Sequence, residues 1–177
     1  VKIVAHIDAG DEFEDRGAQS LNGAENRLQE RAQGSRVVLP DETFKERYTV
    51  PFGTMDIQAL HLGPSHSPGD IVVWLPEQSL VIAGDIAFHE RMLPIFEDTI
   101  TIDWLETWEE EFEKLAATYV IPGHGHPTNM DQVRRYTRDY LVYLRETVGE
   151  HLDAGGDLAG AYYVDQSPYA HLDTFEE

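Results

Sequence analysis

Apolar positions along the chain fall into two periodicities, and each predicts its own elements. Continuous or alternating apolar runs predict strands at "VKIVAH", at "RVVLP" (stopped by Pro40), and at residues 43–50 and 54–62, the last two joined by the turn-forming "PFG". "DIVVWLP" and "SLVIAGD" are unbroken apolar runs, as expected of strands buried on both faces, with "PEQ" as a tight turn between them; "YVIP" predicts a further short strand. Helical spacing appears twice. Trp104, Trp108, Phe112 and Leu115 recur on one face behind a candidate N-cap, Asp103, with Glu106 three positions on. Val133, Tyr136, Tyr140, Leu144 and Val148 form the buried stripe of a longer helix over residues 131–151. The acidic, glycine-containing residues 8–19 read as a loop. Residues 20–33 read as a marginal helix with Leu21 and Leu28 on one side, ended by Gly34. Residues 155–177 are irregular, with a short helix and a docked end expected. Strands first, then helices alternating with strands, make a layered α/β protein.

Composition narrows the partners. A chain of 177 residues suits one domain with a real core. Acidic residues outnumber basic ones by 33 to 13, a net charge of −20 that repels phosphate backbones and anionic lipid surfaces. Neither nucleic acid nor a membrane is an expected partner; a small-molecule substrate is. Cysteine is absent, so disulfides and thiolate ligands are excluded and any metal is held by His, Asp or Glu. No apolar run is long enough to cross a bilayer, so a soluble chain is expected; no signal peptide is visible, which does not separate a cytoplasmic from a periplasmic location. The chain opens inside a strand without a Met, which reads as a trimmed or processed start.

Three positions share one local grammar. His66 lies in "GPSHSPGD" between two strands, Asp85 ends "SLVIAGD", and His124 follows "YVIP" in "PGHG". Each is a metal-competent side chain at a strand end, flanked by Gly or Pro, which let the backbone bend tightly and approach other groups. Taken singly, a loop histidine is usually solvated and a "GD" is usually a turn. Together, two imidazoles and a carboxylate are a donor set for zinc, or for iron or manganese. Around them, Asp70 is expected to brace the turn after His66, and His89 and His126 to lie in the pocket or behind the ligands. His61 reads as a strand residue and His6 as a non-ligand, with His151 and His171 at the surface.

The run "HLGPSHSPGDIVVWLPEQSLVIAGDIAF" followed by "VIPGHG" resembles the later half of the metallo-β-lactamase superfamily, a likeness covering residues 1 to about 144. The resemblance implies an αββα sandwich with its site at one edge between the sheets. It implies His66 on a first metal, Asp85 bridging two metals as the candidate catalytic residue, and His124 on the second. The family's first ligand cluster, His-x-His-x-Asp-His, occurs nowhere in the chain, leaving three of the usual seven ligands. Residues 1–177 are therefore expected to be one domain, incomplete at its N-terminus, without the first strands and metal motif. Zinc is the expected cofactor, one or two ions in the complete protein, bound weakly or not at all by this chain.

The implied activity is metal-dependent hydrolysis of small esters, thioesters or lactams, with a metal-activated hydroxide as nucleophile and with impaired activity in a truncated chain. Asp85 stands where the best-known zinc β-lactamases carry Cys, which resembles the thioesterase-type and general hydrolase branches, and the acidic balance argues against the nuclease branches. The alternative is a non-catalytic interaction module that forms homodimers through exposed sheet edges.

Overall fold

The computed structural model describes residues 1–174, so the last three residues of the expected docked end lie outside it. Five strands form one sheet in the order β3 (Arg47–Phe52), β4 (Met55–Leu60), β5 (Val72–Leu75), β6 (Leu80–Phe88), β7 (Tyr119–His124). The pairs from β3 to β6 are antiparallel and β6–β7 is parallel. A separate two-stranded parallel ladder joins β1 (Val4–His6) to β2 (Glu42–Phe44). With the helices this is the expected mixed, layered α/β architecture. The strand expected over residues 43–50 is thus split between the two sheets.

One consequence of the directions positions the site. β4 and β6 both run antiparallel to β5, and β7 runs parallel to β6. The C-terminal ends of β4, β6 and β7 therefore emerge on one edge of the sheet, and three segments far apart in sequence meet there.

Alternation sorts the strand residues onto two faces. On one, Val72, Val81, Ala83 and Val120 pack with Trp108 and Phe112 of the helical segment after β6 and with Met130 and Val133 of the next helix. That first segment is α2 (Thr101–Thr107), continued by a π-helical turn at Trp108–Phe112 and a 3₁₀ turn at Glu113–Leu115. Asp103 lies inside α2 and the cap position is Ile100, so the expected N-cap is displaced by three residues. The following helix is capped by Asn129, whose side chain accepts from the Gln132 amide, and runs as α3 (Met130–Val133), a π-turn (Arg134–Arg138) and α4 (Asp139–Asp153). The π-turn shifts the buried stripe: Val133, Thr137, Tyr140 and Leu141 are buried, and Tyr136, Leu144 and Val148 only partly so. The opposite face is also apolar. Val73, Ile82 and Ile121 are cross-strand partners, as are Leu75, Leu80 and Tyr119, yet Ile82 is 41% and Tyr119 59% exposed.

The N-terminal third departs most from expectation. Residues 8–19 are not a loop: α1 (Ile7–Leu28) spans them in one helix, started by His6, whose Nδ1 accepts from the Asp8 amide at 3.3 Å. Its buried positions are Gly10 and Gly17, not leucines. A Cβ on Gly17 would stand 2.8 Å from Val37 Cγ1, so the glycine lets Val37 press against the helix backbone. That contact occupies "RVVLP", which joins no ladder, contrary to the strand expected there. Beyond α4 the chain forms α5 (Leu158–Ala161) and a 3₁₀ turn at Ser167–Tyr169, and Leu172 is buried. Among the described residues no helix is long and apolar enough to cross a membrane.

Candidate metal centre

At the shared edge the structure brings His66, Asp85 and His124 together. His66 Nε2 lies 3.9 Å from Asp85 Oδ2, and His124 Nε2 lies 3.7 Å from Asp85 Oδ1. The two imidazoles thus address opposite oxygens of one carboxylate.

Each side chain is delivered by a different device. The loop after β4 carries His66 and is tied by Asp70, whose carboxylate accepts from Ser65 Oγ (2.6 Å), the Ser67 amide (2.9 Å) and Ser67 Oγ (2.6 Å). The His66 ring is boxed edge-on by Phe88, Phe96 and Trp104, at centroid separations of 5.9, 5.2 and 5.8 Å. Its carbonyl accepts from Thr99 Oγ1 at 2.9 Å. Asp85 lies in β6 beside Gly123 of β7. A Cβ on Gly123 would fall 2.0 Å from Asp85 Oδ1 and 2.7 Å from the Gly84 carbonyl carbon, so only glycine leaves room for the carboxylate. Gly125 (φ +88°) clears the His89 carbonyl in the same way, with a would-be Cβ at 2.0 Å. These two glycines let "PGHG", at the end of β7, lie directly against Asp85 and His89. His124 stacks on Phe88 at 5.1 Å and 19°, and its carbonyl accepts from the His89 amide at 3.1 Å.

Phe88 is held from the far side. It is the last β6 residue in register with β7, opposite His124, and on its other side Thr137 Oγ1 accepts from its N–H at 2.8 Å and donates to its carbonyl at 3.2 Å. Trp104 Nε1 donates to the Ile86 carbonyl at 3.1 Å, which fixes α2 over the same stretch of β6.

The remaining histidines separate into other roles. His89 is buried edge-on against Tyr136, with Nδ1 3.0 Å from the His126 carbonyl. The His126 side chain is 86% exposed and pairs with Glu90 at 2.7 Å, a partner that raises its pKa and lowers that of Glu90. Past the end of β4, His61 binds the Asp70 carbonyl through Nδ1 at 2.8 Å and stacks on His6 at 3.7 Å. Burial of the His6 ring, and secondarily the His61 ring, pushes the His6 pKa below its ordinary value. His171 is exposed, and His151 binds the Asp157 carbonyl at 3.0 Å.

As donors, the trio fits a divalent cation in pairs. Two ligands of one tetrahedral zinc ion lie about 3.4 Å apart, and the imidazole–carboxylate separations of 3.9 and 3.7 Å are a few tenths of an ångström longer, a gap that a small side-chain rotation closes. Among the described residues, however, no three His, Asp or Glu side chains are gathered closely enough to hold one ion. Each ion would therefore take one imidazole and one carboxylate oxygen from the trio, with its other positions left to water, substrate or further groups. Buried His66 Nδ1 has no hydrogen-bond partner among the described residues, and His124 Nδ1 faces Arg91 Nη1 at 3.1 Å. Sequence reasoning missed Arg91, Phe88, Phe96, Thr99 and Thr137, none of which carries a motif; the aromatic box had a partial signal in the helical spacing of Trp104.

Comparison with known proteins gives the same picture at the level of family. A family model described as the metallo-beta-lactamase superfamily matches residues 1–124. The chain is 29% identical over 112 residues to a metallo-beta-lactamase type 2 from Bacteroides fragilis, covering 62% of this chain and 45% of that protein. It is 24% identical over 135 residues to a linear primary-alkylsulfatase from Pseudomonas sp. (strain ATCC 19151), covering 68% of this chain and 24% of that protein. The chain thus spans less than half the length of either relative. Among solved structures, metallo-beta-lactamase IND-7 superposes with a TM-score of 0.62 at 19% identity, over 80% of this chain and 57% of that one. A metallo-beta-lactamase family protein from Thermus thermophilus gives 0.61 at 15% identity, over 87% and 56%. At these identities the superpositions establish the fold alone.

Proposed function

This chain belongs to the metallo-β-lactamase superfamily, and from that premise we propose that it contributes the His66–Asp85–His124 side of a hydrolase centre acting on small esters, thioesters or lactams. The observation that carries the proposal is the shared carboxylate: two imidazole nitrogens, from separate segments, face the two oxygens of Asp85.

When bound, a divalent cation supplies Lewis acidity toward a carbonyl or ester oxygen and lowers the pKa of a water molecule. The residues do the rest. Asp85 presents its charge between the two imidazoles and anchors the site. His66 is kept in place by its aromatic box, which also excludes water from one side of the site. Gly123 leaves the carboxylate free to turn toward either ring. Asp70 fixes the His66 loop through hydrogen bonds to a negatively charged acceptor, the stronger kind.

The test is hydrolysis by zinc-loaded protein of a panel holding an activated acyl ester, a thioester, a β-lactam and a primary alkyl sulfate, the last chosen for the alkylsulfatase relative. Turnover of one class, reduced about 100-fold or more by Asp85→Ala and His66→Ala, supports the proposal. Turnover unchanged by these substitutions, or none across the panel in a chain that binds no cation, refutes it and leaves the non-catalytic module.

A further inference from the structure

Arg91 meets His124 with the wrong polarity for an ordinary metal-bound histidine. A guanidinium has only N–H donors and no acceptor. With Arg91 Nη1 3.1 Å from His124 Nδ1, that nitrogen is the acceptor and carries no proton. A neutral imidazole has one N–H, so the proton of His124 is on Nε2, the nitrogen that faces Asp85 Oδ1 at 3.7 Å. A cation binding there needs the Nε2 lone pair. Metal-bound histidines almost always donate their other N–H to a carboxylate or carbonyl. His124 has a cation in that place.

Resting on the metal-centre reading, we propose that Arg91 is a positioning residue: it holds His124 with the proton on Nε2 and thereby makes cation binding conditional on withdrawal of the guanidinium. The proton moves to Nδ1 and Nε2 becomes a ligand only when Arg91 swings away. Two features favour such a movable contact. Arg91 Nε is buried without a partner among the described residues, so the guanidinium is not locked by a second bond there. The His124 ring, in contrast, is held face-on by Phe88 and by its own backbone, so the imidazole stays while the arginine moves. Removing Arg91 also removes a positive charge beside the place a cation would enter.

The experiment reads the proton first and the cation second. In ¹⁵N-labelled, metal-free protein, long-range ¹H–¹⁵N couplings identify the protonated ring nitrogen. The expected result is Nε2–H for His124 in the wild type and in Arg91→Lys, which still donates, and Nδ1–H in Arg91→Gln, whose amide oxygen can accept. Zinc affinity, measured by competition with a chromophoric chelator, is expected to rise about 10-fold or more in Arg91→Gln and Arg91→Met and to stay near wild type in Arg91→Lys. Unchanged circular dichroism verifies that the variants fold. His124 protonated on Nδ1 in a wild-type chain that binds zinc overturns this proposal and leaves the metal centre standing. Equal zinc affinity in all four proteins also overturns it. Nε2–H with no zinc bound by any of them refutes the metal reading itself, and the coupling with it.

Discussion

Replacing Thr137 by Val tests whether the end of β6 is held as described. The two side chains have nearly the same shape, and Thr137 is fully buried, so the change is one of hydrogen bonding. The Thr hydroxyl satisfies both backbone groups of Phe88, accepting at 2.8 Å and donating at 3.2 Å. Val leaves a buried N–H and a buried C=O without these partners, each worth about 1–3 kcal/mol when left unsatisfied. The carbonyl bond is the longer, so its loss falls at the low end. The extra buried methyl returns about 0.8 kcal/mol. The net expectation is a loss of about 2 kcal/mol, a fall in Tm of roughly 4–8 °C for a chain of this size. Thr137→Ser is the control: it keeps the hydroxyl and loses only a methyl, costing about 1 kcal/mol. Urea unfolding with an unchanged m-value measures both. The expected order is wild type, then Ser, then Val. A Val variant as stable as the Ser variant or more so refutes the clamp, and with it the explanation of how Phe88 supports His66 and His124.

Three further perturbations follow from the same geometry. Gly123→Ala places a methyl within 2.0 Å of Asp85 Oδ1, so the carboxylate must turn away; zinc affinity is expected to drop by about 10-fold or more, and unchanged affinity would contradict the cradle. Asp70→Ala strips the His66 loop of its three hydrogen bonds to one carboxylate and is expected to cost about 2–4 kcal/mol in urea unfolding, with Asp70→Asn intermediate. His6 has its pKa lowered by burial, so the unfolded chain binds that proton more readily than the folded one. Its contribution to stability is complete above the ordinary value of 6.5 and is lost as pH falls below it toward the lowered folded pKa. Replacing His6 by Gln is expected to flatten this part of the stability–pH curve, and an unaltered slope would show that the stacked pair does not govern it.

Legibility in the sequence tracked the strength of local pattern. The β5–β6 hairpin and β7 were readable because their apolar runs are continuous and their turns carry Pro and Gly, and those runs end where the site lies. The glycines of "PGHG" signal close approach but not what approaches: Asp85 Oδ1 and the His89 carbonyl are tertiary facts. The first half of α1 was missed, although residues 20–28 fall within the marginal helix read there, because its packed face is built from Gly10 and Gly17, which local propensity counts against a helix. "RVVLP" reads as a strand by composition, but Val37 is taken up by that glycine face and no neighbour completes a ladder. The register of the long helix was off because a π-turn inserts a residue into the periodicity, which brings Thr137 inward to Phe88. Arg91 had no signal at all. It is one basic residue among 13, and its role exists only because the ends of β6 and β7 lie side by side.

Zinc binding by the wild type and by Asp85→Ala tests the metal centre most directly, because both imidazoles face that one carboxylate. In a chelator-competition titration the wild type is expected to bind zinc weakly but saturably, and Asp85→Ala to lose that binding while His126→Ala, altered only at the exposed Glu90 pair, retains it. Zinc bound equally well with and without the Asp85 carboxylate would show that the three side chains at the sheet edge are neighbours without being a site.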